Sequence, residues 1–375
     1  MTTIEQVEFV GLRSALDPPA TFSWGMASER NVGLVRVRTS DGVDGWGETS
    51  VTFPLWSLEE RHATVDRGLA PLVTGEPCGD IDEIAAVIAH AERSMARLRH
   101  LWSPVGISGA IGALEMALLD AWGQSRGAPV WELLGGERAA VPLYAVGFTG
   151  GPDAAAEQAV RCVGEGYRSV KVRVGFGEQT DLAQLATFRR ALGARTTILA
   201  DVNMGWDRAT AAAMLPKLAE FDLGWLEEPL PRDDLAGLVE LSDISPVPLA
   251  AGENCYTRAE ALALVGSGAV RYVMPDLARC GGLLTALDYA RAALDRGLQY
   301  SPHHYASDIG FSAMLTLCAI AGSPAPILRD VSPWPLRSDL LTQPVDIQDG
   351  QAWPSAEPGL APRPDPAVIE KHRVL

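Results

Sequence analysis

The stretch GWLEEPLPRDD, Gly224–Asp234, sets the question of the fold. An apolar pair is followed directly by Glu227 and Glu228, and Pro229 then ends the run. Carboxylates at the exit of a buried strand are costly unless a partner compensates their charge. A single pair of this kind most often turns into solvent, so its meaning depends on the residues that end the other strands.

Eight short apolar segments alternate with helical patterns between Val141 and Asp330. This alternation predicts a (β/α) barrel, or a close variant of it, with parallel strands. The alternative is an open doubly wound sheet. No GxGxxG motif follows a strand, and polar residues recur at the strand exits, which favours the barrel. The predicted strands are VPLYAVG, SVKVRVG, TILADVN, GWLEEP, PLAAGEN, YVMPDL, LQYSPHH and APILRDV.

The first part of the chain has a mixed pattern. VEFVGLRSAL and VGLVRVRTSDGVDGWGET alternate in polarity and contain turn sequences, which predicts antiparallel strands. Helical patterns follow in EIAAVIAHAERSMARLR and in SGAIGALEMALLDAWGQSRG, the second of which is expected to start at its serine and to end near Gly127. From Ser332 onward the chain is rich in proline, and an extended tail that wraps the fold is expected.

Composition limits the possible classes of function. The chain has 375 residues, of which 47% are hydrophobic, enough for a large core and two domains. A formal charge of −16 disfavours nucleic acid or an anionic membrane as a partner. The five cysteines lack CxxC spacing, the N-terminal segment lacks a signal-peptide pattern, and no apolar run approaches the roughly 18 residues of a membrane span. We therefore expect a soluble cytoplasmic protein.

Three acidic residues end consecutive predicted strands: Asp201, Glu227 and Glu253, each 26 residues after the last. Parallel barrel strands end on one face, where such folds carry their active sites, so these carboxylates should converge. Clustered negative charges repel one another unless a cation lies among them, and oxygen ligands with room for water and substrate suit Mg²⁺. Glu228 is expected to face solvent or to support this site from behind, because neighbours on a strand face opposite ways.

The next two strands end in a second pair of functional side chains. Asp276 and His303 follow at similar spacing, and neighbouring strand ends would bring them together. An aspartate that accepts one ring N–H fixes the tautomer and raises the basicity of the other nitrogen, so His303 is a candidate base. On the second strand, Lys171 and Arg173 share a face, where they would bind or polarise an anionic substrate.

With these motifs the chain resembles the enolase superfamily, specifically the mandelate racemase branch of the mandelate racemase/muconate lactonizing enzyme family. The resemblance covers nearly the whole chain and rests on ALEMALLDAWGQSRGAPVWELLGG, KVR, DVN, WLEEP, GEN, PDLARCGG and SPHH. It implies an α/β fold, a modified (β/α)7β TIM-type barrel with an α+β N-terminal capping domain. The capping domain is then expected at residues 1–130, the barrel at 131–331, and a tail that packs back on the capping domain at 332–375.

Carried over residue by residue, the resemblance also implies a site. The ligands of one Mg²⁺ per subunit would be Asp201, Glu227 and Glu253. The catalytic groups would be the dyad of His303 and Asp276, with His303 preferred over His304, together with Lys171 and Arg173 at the positions of a KxK motif. Residues that bind the substrate or close over it would be Asn203, Asn254, Phe22, Trp24, Phe53 and Trp56.

The chemistry implied by the resemblance is removal of a proton next to a carboxylate, which makes an enediolate with two negative charges. Mg²⁺ and Lys171 would stabilise that charge. Arg173 stands where the two-base racemase has lysine, and a guanidinium is a poor proton acceptor but a good anion clamp. Our hypothesis is therefore a one-base dehydration of a hydroxy acid, an acid sugar, to a 2-keto acid. His303 would remove the α-proton and serve in protonating the departing hydroxyl.

Other functions stay open at this stage. A racemase or epimerase of a 2-hydroxy or amino acid is the runner-up, and a non-catalytic ligand-binding barrel is a third possibility. A cycloisomerase of the muconate type would typically carry a lysine at the position of Arg279. Many family members have a glutamate at the end of the eighth strand, where this chain has Arg329 and Asp330, so that role is unassigned. The expected partners are a small carboxylate substrate and further copies of the chain in a homo-oligomer.

Overall fold

The structure, a computed structural model, describes residues 1–22, 25–322, 324–360 and 362–375, and only the backbone at residues 21, 22 and 100. Three strands open the fold: β1 (Ile4–Phe22), β2 (Gly25–Thr39) and β3 (Asp44–Thr49). They form an antiparallel sheet in that order, as their alternating polarity predicts. The helices that follow are α1 (Ser57–Ala63), continued by a π-helical segment (Thr64–Leu69), α2 (Ala70–Val73), α3 (Ile81–Leu101), α4 (Pro104–Arg126) and α5 (Val130–Leu133).

Helix α4 is the central core helix of this first part. It begins one turn earlier than its sequence suggests, because Ser103 caps it by accepting the N–H of Gly106 and Pro104 occupies its first turn. Gly127 ends it in the left-handed conformation. By length and composition α4 could cross a membrane, contrary to the sequence expectation, but 94% of its most apolar window is buried within the protein.

The second part is a closed barrel of eight parallel strands, which confirms the predicted fold class. Its strands are β4 (Val141–Val146), β5 (Ser169–Arg173), β6 (Thr197–Asp201), β7 (Leu223–Glu227), β8 (Leu249–Ala251), β9 (Tyr272–Val273), β10 (Gln299–Tyr300) and β11 (Ile327–Asp330). Strands β4 to β10 pair in sequence order, and β11 pairs with β4. The ring is completed where the backbone N–H of Ala325 donates to the carbonyl of Tyr300.

Helices cover the outside of this barrel. They are α6 (Pro152–Gly164), α7 (Glu178–Leu192), α8 (Arg208–Leu218), continued by a 3₁₀ turn (Ala219–Phe221), α9 (Leu235–Ile244), α10 (Arg258–Ser267), α11 (Leu277–Cys280), α12 (Leu283–Leu294) and α13 (Asp308–Ala321). The barrel interior is a packed layer of side chains in which the rings of Tyr144 and Trp225 meet edge to face. Because these side chains fill the barrel interior, the polar site of such a fold lies at the carboxyl ends of the strands.

The last segment returns to both earlier parts of the chain. Its elements are α14 (Pro335–Ser338), β12 (Ile347–Gln348), β13 (Gln351–Ala352) and α15 (Pro366–His372). Strand β13 pairs antiparallel with β4 of the barrel. At the C-terminus, the N–H of Val374 donates to the carbonyl of Gly11 in β1. The division of the chain at residues 130/131 and 331/332 stays a prediction.

Two buried glutamates from the first part cap helices of the barrel. Glu48, in β3, accepts the backbone N–H groups of Ser307 and Gly310 at 3.0 and 2.9 Å, and the Ser307 hydroxyl at 2.8 Å. Glu115, in α4, accepts the N–H of Leu284 at 2.8 Å in the first turn of α12. A carboxylate at a helix N-terminus satisfies donors that have no partner within the helix. Burial raises the pKa of Glu115 to about 8. Glu48 differs in having a charged partner within reach, because it lies beside the ring of His304.

Strand β3 packs directly onto α4 because it carries glycine at the contact points. A Cβ atom at Gly47 would lie 2.1 Å from the carbonyl oxygen of Ala113, and one at Gly45 would lie 2.0 Å from that of Ala117. Both carbonyl oxygens belong to the backbone of α4, so they cannot rotate away as a side chain could. The motif GWGE therefore sets the distance between the sheet and its core helix.

We expect Gly47→Ala to lower the free energy of unfolding by about 3 kcal/mol or more, because overpacking against fixed backbone forces the strand and helix apart. Urea denaturation followed by circular dichroism measures it. The matched control is Gly164→Ala, an exposed helical glycine with nothing within 4 Å of its added Cβ. That change should be neutral or stabilise by up to about 1 kcal/mol. Equal unfolding midpoints for Gly47→Ala and wild type would contradict the close contact.

Candidate active site

A cavity of about 480 Å³ opens at the carboxyl ends of the barrel strands, below the first part of the chain. Both parts contribute side chains, and many of these are polar. The first part supplies Ser50, Thr52, Phe53, Trp56, Glu60 and Arg61. The barrel supplies Lys171, Arg173, Asp201, Asn203, Glu228, Glu253, Asn254, Tyr256, Arg279, His303 and Tyr305. Most of the predicted site residues therefore line this cavity, whereas Glu227 and Asp276 do not line it.

Lys171 lies between two of the predicted metal ligands. Its Nζ atom is 2.9 Å from Oδ2 of Asp201 and 2.7 Å from Oε1 of Glu227. Strand register explains the meeting, because Asp201 and Glu227 are direct partners at the ends of β6 and β7. Although burial disfavours a charge on Lys171, the two carboxylates raise its pKa well above the usual value.

The third predicted ligand, Glu253, is the third member of an acid cluster with Asp201 and Glu227. The oxygens of Glu253 lie 2.9 Å from a guanidinium nitrogen of Arg279 and 3.2 Å from Nε2 of His303. Burial and the charges of Asp201 and Glu253 raise the pKa of Glu227 well above its ordinary value. The direction of this shift indicates that the acids repel one another, a repulsion that a cation bound among them would relieve.

This donor set fits a hard divalent cation, since carboxylate oxygens are the ligands that Mg²⁺ prefers. In the arrangement described, no three Asp, Glu, His or Cys side chains of the described residues lie close enough together to hold a metal ion. The reason is that cationic groups of the protein lie between the carboxylates. Nζ of Lys171 bridges Asp201 and Glu227, while Arg279 and His303 contact Glu253.

The predicted dyad is present in the fold. Nδ1 of His303 lies 2.7 Å from Oδ2 of Asp276, and Nε2 is directed to the cavity side, toward Glu253. Asp276 also accepts the backbone N–H of Ala278 at 2.9 Å. Although burial favours its neutral form, Arg279 and His303 hold the pKa of Asp276 below the usual value. The arrangement orients one nitrogen of His303 toward any molecule bound in the cavity.

His304 has a different environment from His303. Its Nε2 atom is 2.9 Å from the carbonyl oxygen of Ser307 and 3.3 Å from Oε2 of Glu48. Although burial disfavours its charge, Glu48 raises the pKa of His304. His303 lines the cavity and His304 does not, while the preference for His303 as the base stays a prediction.

The end of the eighth strand is occupied by ion pairs rather than by a carboxylate facing the cavity. Arg329 pairs with Asp308 at the start of α13. Asp330 lies 2.8 Å from Arg30 and 2.7 Å from Arg337, and these charges hold its pKa below the usual value despite its burial. Arg329 and Asp330 therefore bind parts of the protein to one another.

The remaining predicted site residues differ in position. Asn203 donates to Asp201 through its backbone and side chain, and Asn254 donates to Glu228. Trp56 lines the cavity and is 68% exposed, and its predicted role in covering the substrate stays a prediction. Trp24 and the side chain of Phe22 lie outside the described residues, and their predicted role stays a prediction.

Glu228 corrects an expectation drawn from strand alternation. It is almost fully buried and bonded to Asn254, and it lines the cavity. The solvent-facing alternative was wrong, because β7 ends at Glu227 and the backbone of Glu228 turns to a φ of +40°. Burial raises the pKa of Glu228 well above its usual value. Sequence reasoning also missed Tyr305, Arg30, Glu48 and Arg61, whose positions depend on loop paths and on the contact between the two parts.

Comparisons with known proteins identify the family. Residues 5–135 match the mandelate racemase/muconate lactonizing enzyme N-terminal domain, and residues 154–368 match the enolase C-terminal domain-like family. Muconate cycloisomerase 1 of Rhodococcus opacus is 30% identical over 96% of this chain and 95% of its own length. L-talarate/galactarate dehydratase of Salmonella typhimurium is 29% identical over 87% of this chain and 79% of its own length.

A solved structure supports the same fold. A racemase from Streptomyces coelicolor with bound magnesium superposes with a TM-score of 0.89 at 25% identity, covering 99% of this chain and 100% of its own. These relatives carry out different reactions on one scaffold, so they establish the family and leave the substrate open. The chain belongs to the mandelate racemase/muconate lactonizing enzyme family and is an enzyme of the enolase superfamily.

Proposed function

We propose that this enzyme removes the α-proton of a hydroxy-carboxylate with the help of Mg²⁺ and then expels the β-hydroxyl as water, giving a 2-keto acid. The observation that carries this proposal is that His303, held by Asp276, meets the acid cluster at one cavity. The similarity to a talarate/galactarate dehydratase supports the acid-sugar class of substrate.

Asp201, Glu227 and Glu253 would hold one Mg²⁺ per chain, once Lys171, Arg279 and His303 no longer contact them as they do here. A bound Mg²⁺ supplies positive charge to the substrate carboxylate as negative charge develops on it. Lys171 would add a second positive charge from the neighbouring strand, since its Nζ atom already lies beside two of the ligands.

His303 would act as the base. Its Nδ1 atom is held by Asp276, so Nε2 is the nitrogen that can accept a proton from the substrate. Arg173 would orient the substrate as an anion clamp, because a guanidinium keeps its proton. Arg279, at the position typical of a lysine in muconate cycloisomerases, is likewise fixed as a cation by Glu253 and Asp276. This pattern supports a one-base reaction over racemisation or cycloisomerisation.

The lining of the cavity supports a hydroxylated substrate. Ser50, Thr52, Ser57, Ser103 and Tyr256 are among its lining residues, and hydroxyl side chains match alcohols better than an aromatic ring. Asn203 and Asn254 also line the cavity and are proposed to bind the substrate. Trp24 and Trp56 remain proposed elements of a cover.

We expect at least one member of a panel of aldonic and aldaric acids to yield a 2-keto acid in the presence of Mg²⁺. The measurement is keto-acid detection, followed by proton NMR of the α-position in D₂O. Exchange with inversion and no keto product would instead establish a racemase or epimerase. Lactone formation without water loss would establish a cycloisomerase. A panel that stabilises the protein without any turnover would identify a binding protein.

We also propose a cytoplasmic homo-oligomer. All five cysteines are free, which fits a reducing compartment. Met26, Leu101 and Trp102 are large apolar side chains that the single chain leaves exposed, and association would bury such surface. Light scattering coupled to size-exclusion chromatography measures the assembly, and a monomer at micromolar concentration would contradict it.

A further inference from the structure

Tyr305 is enclosed by two guanidinium groups. The guanidinium carbon of Arg30 lies 3.8 Å from the centre of the Tyr305 ring, and that of Arg173 lies 5.4 Å from it. Arg173 also hydrogen-bonds the phenol oxygen. Arg30 is itself fixed, because it stacks on Trp334 at 4.0 Å and pairs with Asp330. The phenol is therefore held in one position by a rigid cationic frame.

Tyr305 and His303 leave the same loop and diverge. His303 contacts Asp276 and Glu253, which follow the sixth and fifth strands of the barrel. Tyr305 instead contacts Arg173, at the end of the second strand. Both side chains line the cavity. A substrate bound between them would meet the imidazole on one side and the phenol on the other.

The proposed dehydration needs an acid, because a hydroxyl leaves readily only as water. Arg173 cannot supply that proton, because a guanidinium keeps its own. Lys171 also keeps its proton, because Asp201 and Glu227 stabilise its ammonium form. The sequence hypothesis gave this role to His303 as well, but His303 lies on the side of Asp276 and Glu253, so we look for the acid on the other side of the cavity. The phenol of Tyr305 has a proton to give, and Arg173 and Arg30 would stabilise the negative charge left on its oxygen.

We propose that Tyr305 is the general acid that protonates the departing β-hydroxyl, an inference that rests on the proposed function. His303 takes the α-proton, the β C–O bond breaks, and the Tyr305 proton completes the water molecule. The enol then tautomerises: the His303 imidazolium gives its proton to the β-carbon, and the Tyr305 phenolate takes the proton of the enol hydroxyl. Both groups end as they began, and the acid and base act from different sides.

The test is Tyr305→Phe, which keeps the ring against Arg30 and removes only the hydroxyl. With the substrate found in the acid panel, we expect dehydration to fall by about 10²- to 10³-fold, as for loss of a general acid. Exchange of the α-proton in D₂O should stay within about fivefold of wild type, because it depends on His303. The matched control is Tyr300→Phe, whose hydroxyl donates to Gly322 outside the cavity and whose loss should leave both rates unchanged.

A β-fluoro analogue of the same substrate separates an acid from a structural residue. Fluoride leaves without a proton, so wild type and Tyr305→Phe should eliminate it at similar rates. Wild-type dehydration by Tyr305→Phe would overturn the inference and leave the proposed function standing. Equal loss of exchange, dehydration and fluoride elimination would overturn it too, because Tyr305 would then only hold the loop. A wild-type enzyme that exchanges the α-proton but never loses water would overturn both.

Discussion

His303→Asn is expected to lower turnover by about 10²- to 10⁴-fold, the range for loss of a general base. Asparagine retains a side chain that can hydrogen-bond Asp276 but has no nitrogen basic enough to accept a proton. Exchange of the α-proton in D₂O should fall in parallel, because exchange reports proton removal directly. Steady-state kinetics and NMR on one enzyme preparation measure both rates. The KM for the substrate should change far less than kcat, since Arg173 and the polar lining remain.

Two further variants make this result specific. His62→Asn alters a half-exposed histidine paired with Asp66 on the surface and should leave both rates unchanged. Asp276→Asn keeps His303 but removes the charge that holds Nδ1, so it should fall between wild type and His303→Asn. An exchange rate in His303→Asn equal to that of wild type would exclude His303 as the base.

The second large effect concerns the acid cluster and Mg²⁺. Lys171→Met should lower the free energy of unfolding by about 3–5 kcal/mol in EDTA, because it leaves the buried charges of Asp201 and Glu227 without their partner. Added Mg²⁺ should recover much of that loss, since a ligand that binds only the folded state stabilises it. Urea denaturation in EDTA and in Mg²⁺ measures the difference, and calorimetry measures Mg²⁺ binding without reference to activity.

The surface offers a matched control for this experiment. Lys217 pairs with Glu178 at 2.6 Å but is partly exposed, so Lys217→Met should change stability by at most about 1 kcal/mol, with or without Mg²⁺. Glu227→Gln should abolish the calorimetric signal. If Mg²⁺ neither binds wild type nor shifts the unfolding of Lys171→Met, the carboxylates are not its ligands.

The sequence was informative where periodicity determines position. Asp201 and Glu227 could be placed beside each other because parallel strands of equal register bring their ends to one edge, and the same reasoning paired Asp276 with His303. The contact of Lys171 with Asp201 and Glu227 followed less directly, since it depends on how far a long side chain reaches across two strands.

Features that lie beyond the last strand residue could not be predicted in this way. Glu228 turns inward through a left-handed backbone that no alternation rule includes. Tyr305 reaches Arg173 because its loop bends away from the path of His303. Arg30 comes from the first part of the chain, some 300 residues before its partner Asp330, and composition contains no signal for such a meeting.

Glu48 and Glu115 also have a consequence for how this enzyme could be recombined. Each belongs to the first part of the chain but completes a helix of the barrel, and Glu48 sits under the loop that carries His303 and Tyr305. A barrel expressed alone would expose those helix ends to water and release the loop. In a chimaera, a replacement for the first part of the chain that lacked an acid at position 48 would bring new loops for substrate specificity. It would also misplace His303 and Tyr305 below those loops. Exchange of the first part of the chain would therefore alter substrate choice and proton transfer together.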